Sequence, residues 1–122
     1  FTLFSVIFLL FLGFQEDRLL IDEDQIVIEG FYGERLQLKD IDTVLLCNSK
    51  PEIAFKSNGF ALGEIKKGYF KTKSGEEIKL ILNSSQIPMI LIVKKSGQKI
   101  IYSTKNENNI NLMGSISHFL KN

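Results

Sequence analysis

Few side chains in this 122-residue chain can attack, ligate or bind phosphate, so their spacing largely decides what they could do. There is one cysteine, Cys47, and one histidine, His118. A nucleophilic pair needs thiol and imidazole within hydrogen-bond reach. Cys47 ends the run Thr43-Val44-Leu45-Leu46 and reads as a small buried hydrophobe in a strand. His118 falls on the polar side of an expected helix, with Asn111, Gly114 and Ser115, so the two are not expected to meet. A lone cysteine also excludes an internal disulfide framework and a cysteine-based zinc site, and His118 has no second His or Cys to share a metal. Asp22-Glu23-Asp24 lacks the glycine at position six and the glutamate at position twelve of a calcium loop, so it reads as a charged turn. Asn83-Ser84-Ser85 fits a glycosylation sequon but carries no weight here. No phosphate-cradling glycine loop occurs. The expectation is no catalytic, cofactor or metal site, and no enzyme. A rival enzyme reading needs titratable groups converging in a pocket, and the sequence assembles none.

Binding residues are better represented. Lys66-Lys67, Lys71, Lys73, Lys94-Lys95 and Lys99 form the basic part of the chain. On a strand, Lys67, Tyr69, Lys71 and Lys73 share one face, because side chains alternate. With Phe70 pointing inward, that face is expected in solvent, as a contact for an anionic membrane surface or a protein partner. The simpler reading is a solvated face, or edge-strand lysines that block aggregation. The aromatic-rich stretch from Phe55 to Phe70 suggests a groove at Phe55, Asn58, Gly59 and Phe60, since exposed aromatics beside glycines can mark contact surfaces. Simple core packing of Phe60, Tyr69 and Phe70 is the plainer alternative.

The net charge is +1, but it is unevenly spread. Up to Leu62 there are 5 Lys/Arg against 10 Asp/Glu; from Gly63 onward there are 10 Lys against 4 acids. Strands from both halves interleaved in one fold would mix these charges. A nearly neutral domain is not expected to bind nucleic acid. Phosphoinositide headgroups need several cations on one hairpin. The segment Glu29-Gly30-Phe31-Tyr32-Gly33-Glu34-Arg35 has one arginine among acids, so headgroup binding of that kind is not expected.

The elements that must position these residues follow from patterning. Phe1 to Phe14 carries no charge and no amphipathic period. It reads as the end of a truncated transmembrane helix, with a signal-peptide core or a buried element of the domain as alternatives. The domain is then residues 15–122, placed at the cell membrane with its side unassigned, because one flank is missing for the positive-inside rule. Leu20-Ile21, Ile26 to Glu29, Arg35 to Leu38 and Thr43 to Cys47 read as strands, the last one buried. Asn48 to Gly63 is the least regular region, broken by Pro51 and Asn58-Gly59. Ser74-Gly75 and Ser96-Gly97 mark two hairpins, joining Ile65–Lys73 to Glu77–Asn83 and Met89–Val93 to Lys99–Tyr102. Ile110, Leu112, Met113, Ile116, Phe119 and Leu120 recur at helical spacing, with Asn106 or Asn108 as cap, giving a helix from about Glu107 to Leu120. The sum is an all-β domain of about seven strands with one C-terminal helix plugging a small barrel.

The residues Ile28-Glu29-Gly30-Phe31-Tyr32-Gly33, Leu38-Lys39-Asp40-Ile41, Pro51, Asn58-Gly59-Phe60, Gly63 and Gly68-Tyr69-Phe70 resemble the bacterial pleckstrin-homology-like family. The spacing of Asn58-Gly59 and Gly68-Tyr69-Phe70 is its more specific part. The resemblance spans roughly Leu19 to Leu120. It implies a PH-like fold: two near-orthogonal sheets in a seven-stranded partial barrel, capped by a C-terminal α-helix and often preceded by transmembrane helices. It implies little about activity, because fold does not give function. The functional expectation is a membrane-tethered, non-enzymatic binding or interaction module. The alternative is a structural assembly domain of a larger membrane protein.

Overall fold

The computed structural model describes residues 16–105 and 107–121. The apolar stretch 1–14 lies outside the described residues. Among the described residues, no helix is long and apolar enough to cross a membrane.

Among the described residues, nine strands form two sheets. The first is a three-stranded antiparallel meander of β1 (Leu19–Asp22), β2 (Gln25–Ile28) and β3 (Arg35–Gln37). A single 3-10 turn, Leu38–Asp40, leads into the second sheet. That sheet contains β4 (Ile41–Cys47), β5 (Ile53–Leu62), β6 (Ile65–Thr72), β7 (Glu77–Leu82), β8 (Met89–Lys94) and β9 (Lys99–Ser103), in the spatial order β4-β8-β9-β7-β6-β5. The chain ends in α1 (Asn109–Lys121). Its N-cap is Asn108, whose side-chain oxygen accepts from the Ile110 and Asn111 amides.

All strand pairs are antiparallel except β7 with β9. The chain leaves β7, skips one position to lay down β8, and returns through the Ser96-Gly97 turn to fill the gap with β9. The connection 83–88 therefore has to wrap around the end of β9. Polar side chains make that wrap possible without orphaned groups. The Asn83 amide nitrogen donates to Ser103 O, and the Ser84 hydroxyl donates to Thr104 O at 2.7 Å. Asn109, wholly buried, accepts from the Thr104 N–H at 3.0 Å and donates to Pro88 O at 2.9 Å. Its own N–H donates to Gln86 Oε1. Among the described residues no buried side-chain polar atom lacks a hydrogen-bond partner.

Both faces of the six-stranded sheet are covered, which explains the unbroken apolar runs Leu80-Ile81-Leu82 and Met89-Ile90-Leu91-Ile92-Val93. On one face, Ile81, Ile90, Ile92, Ile100 and Tyr102 meet Leu19, Ile26, Ile28 and Leu36 of the small sheet and Ile116 and Phe119 of α1. On the other, Phe70, Ile78, Leu80, Leu82, Met89 and Ile101 form a second cluster, with Ile53 and Leu91 against it. The connection 48–52 lies over this second face. Six residue steps from Cys47 to Ile53 reach at most about 21 Å. Five strand spacings from β4 to β5 span about 24 Å in a flat sheet. Following the register, Ile53 also lies level with the start of β4 rather than its end. The sheet must therefore curl toward this face. Its edges β4 and β5 do not pair, so the barrel stays open.

Several expectations change. The count is nine strands rather than about seven, and the region expected to be irregular contains β5, which pairs along β6 with two register shifts. Asn58-Gly59 does not break the strand: Gly59 lies opposite Gly68, and a Cβ on Gly68 would stand 2.5 Å from the Gly59 Cα. The strand ending at Cys47 is an edge, with Leu45 and Leu46 exposed and Cys47 half-buried. On α1, Ile110 faces solvent, while Asn109 takes the buried place.

Replacing Asn109 with alanine leaves the Thr104 N–H and Pro88 C=O buried without their partner. We expect a loss of about 2 kcal/mol or more by urea denaturation. Ile110→Ala, at an exposed position on the same turn, should stay within about 0.5 kcal/mol.

Candidate functional site

The gap between the small sheet and the β6–β7 part of the large sheet is filled by charge. Asp17 precedes β1 and is buried. Its Oδ2 lies 3.3 Å from Lys67 Nζ, and both side chains are almost fully enclosed. Its backbone is held as firmly. The Asp17 N–H donates to Asn83 Oδ1 at 2.8 Å, and Asp17 O accepts from Asn83 Nδ2 and from the Tyr102 hydroxyl, both at 2.9 Å. The Tyr102 oxygen in turn accepts the Leu19 N–H. Gly30 closes over the carboxylate; a Cβ there would fall 2.3 Å from it, and its φ of +103° suits glycine.

A second ionic group lies further along. Glu34 accepts from Lys79 at 3.2 Å and from Lys94 at 3.0 Å. Lys79 is buried and stands 5.5 Å from the centre of the Tyr69 ring, a cation–π distance. Tyr69 packs edge-on against Tyr32, which packs edge-on against Phe31. The Tyr32 hydroxyl donates to Asn58 Oδ1 at 3.3 Å.

The pKa values of these two carboxyls shift in opposite directions. For Asp17, burial pushes the pKa up and outweighs the attraction of Lys67, so its value is raised. For Glu34, burial also pushes up, but Lys94 and Lys79 together overcome it, and the net value is lowered. Burial also raises the Tyr102 phenol. Asp17 and Lys67 face each other inside the protein, whereas Glu34 is shared by two ammonium groups, of which Lys94 also lines a surface cavity with Arg35, Asp40 and Lys95. Among the described residues no three His, Cys, Asp or Glu gather closely enough for a metal ion.

Cross-strand pairing brings together both sets of residues singled out from the sequence. Phe60 is opposite Lys67, Asn58 opposite Tyr69 and Phe55 opposite Lys71, so all six share one face of the β5–β6 hairpin. Gly59 pairs with Gly68 between them. The expectation of a solvated lysine face fails at Lys67, while Lys73 is exposed as expected. Lys67 is buried beneath the small sheet, and Lys73 lies beyond β6, where its N–H donates to Glu52 O. Tyr69 and Lys71 are half-buried. Alternation places residues on a face correctly, but it does not reveal that both faces of this sheet are covered. Phe55, at 58% exposed, remains open. Cys47 donates to Ser49 O and His118 is exposed on α1.

Asp17, Glu34, Lys79, Asn83 and the Phe31–Tyr32 pair were not singled out as one site. Gly30 and Gly33 flanking two aromatics were the available signal. Comparisons with known protein families, with curated proteins and with solved structures find no match for this chain.

Removing one member of the buried pair should be costly. Lys67→Met takes away the ammonium that offsets the enclosed Asp17 carboxylate and should cost about 3–5 kcal/mol at neutral pH in urea denaturation. Adding Asp17→Asn should restore a substantial part, and strict additivity of the two changes would contradict the pairing.

Glu34 sets a pH dependence of definite sign. Its lowered pKa stabilises the fold above the ordinary glutamate range, and this contribution is lost as pH falls through about 4.5 and below. Glu34→Gln should therefore lower the melting temperature most near neutrality, with the gap to the parent narrowing toward pH 3. A gap independent of pH would rule out the ionic contribution.

Proposed function

We propose that this chain is a membrane-tethered, non-enzymatic binding or interaction module of the bacterial pleckstrin-homology-like kind, acting at the cell membrane. One observation carries the reading. Asp17, which follows directly on the apolar stretch and Gln15-Glu16, is not on a loose linker. Its backbone and side chain are built into the core through Asn83, Tyr102 and Lys67. A segment entering lipid at that point would hold the domain in a fixed attitude to the bilayer. A β domain of two sheets closed by a terminal helix supports the resemblance at the level of architecture. The division into sheets of three and six strands departs from the seven-stranded arrangement it implies. The aromatic face of the β5–β6 hairpin is the contact surface this reading favours, with Lys71 beside it.

The test is vesicle retention of the full chain. Reconstituted with phosphatidylcholine–phosphatidylglycerol vesicles and washed with alkaline carbonate, the chain should stay in the pellet. Quantitative release into the wash would overturn the tether.

A further inference from the structure

We infer that the Phe31–Tyr32 tip is a bilayer contact, in which the Phe31 ring enters the interfacial layer of the same membrane that the apolar stretch 1–14 enters. This rests on the tethered reading above and names the partner of the aromatic face as lipid.

A single exposed phenylalanine is ordinary on a protein surface. This one differs in how it is held and where it points. Phe31 is 79% exposed, more than any other large hydrophobic residue described. It is presented by a built turn. The Gly33 N–H donates to Gly30 O at 3.1 Å, and Gly30 takes a positive φ that side chains disfavour. Behind the Phe31 ring stands Tyr32, 5.1 Å away and edge-on, itself fastened to Asn58 and packed on Tyr69. The ring is therefore pre-positioned, so contact costs little ordering.

Direction follows from register. Leu19 pairs with Ile28, and the Glu29 N–H donates to Arg18 O at 2.9 Å. Continuing one step brings Asp17 beside Gly30, where the carboxylate touches the glycine. β1 read backwards and β2 read forwards run the same way. Asp17 and the tip after Gly30 thus lie at one end of the small sheet. If residues 1–14 enter a bilayer there, the tip faces the same surface. Aromatic rings favour the headgroup level of membranes. Lys71 lies two positions along β6 from Tyr69, on the same face, suitably placed for an anionic headgroup.

The chain contains no tryptophan, so Phe31→Trp creates a single reporter. The full-length Phe31→Trp chain would be placed in phosphatidylcholine–phosphatidylglycerol vesicles carrying brominated acyl chains. Lys39→Trp serves as control: Lys39 is exposed just past β3, at the end of the small sheet away from Phe31. We expect a blue-shifted emission and at least twofold stronger bromine quenching for Phe31→Trp than for Lys39→Trp. Both proteins should show the parent's circular dichroism. If both chains stay in the carbonate-washed vesicles and emit alike, unquenched, the lipid contact is wrong while the tether stands. If the chains leave the vesicles, tether and contact fall together.

Discussion

Two buried amides, Asn83 and Asn109, bind the ends of the fold around the last residues of β9. Asn83 joins the end of β7 to Ser103 and to the backbone of Asp17. Asn109 joins the start of α1 to Thr104, to Gln86 and to Pro88. The topology demands such a device. A strand inserted between two already placed strands leaves a connection passing over its end, and that connection has backbone groups with no ladder partner. Apolar residues could fill the space but could not satisfy those groups. Side chains with both donor and acceptor can, and a fully satisfied buried network also fixes a unique arrangement.

Because Asn83 and Tyr102 hold the backbone of Asp17, the attitude of the small sheet follows from the same network. Its hydrophobic side, Leu19, Ile26, Ile28 and Leu36, packs on the large sheet where α1 leaves room. Beyond that contact the space closes on charge rather than on apolar groups. Buried ion pairs contribute little net stability once desolvation is counted, but a mismatched one is expensive. Asp17 with Lys67, and Glu34 with Lys79 and Lys94, therefore penalise any other docking of the small sheet. The tip of the Gly30–Gly33 turn presents the Phe31–Tyr32 pair rather than these charged groups.

The curl of the large sheet follows from chain length. The short crossing 48–52 cannot span a flat six-stranded sheet, so the strands bend until it can. The glycine pair Gly59–Gly68 lets the backbones of β5 and β6 touch where side chains would keep them apart. β5 stays an open edge with Phe55 exposed on the side that carries Tyr69 and Lys71.

What the sequence determined alone was local. Apolar runs, glycine turns at Ser74-Gly75 and Ser96-Gly97, and the spacing of Leu112, Met113, Ile116 and Phe119 marked strands, hairpins and a helix, because these depend on periodicity and on permitted φ values. It also placed Lys67, Tyr69 and Lys71 on one face, since alternation is a property of the strand itself. Burial was decided only by the tertiary structure. Lys67 and Lys79 are enclosed because a second sheet arrives from residues far away in the chain, bringing Asp17 and Glu34. Asn109 is core and Ile110 is surface because the end of β9 needs an amide at that place. β5 was hidden because its order comes from pairing with β6, not from its own pattern. A one-dimensional pattern records which side chains share a face; what covers that face is set by long-range pairing.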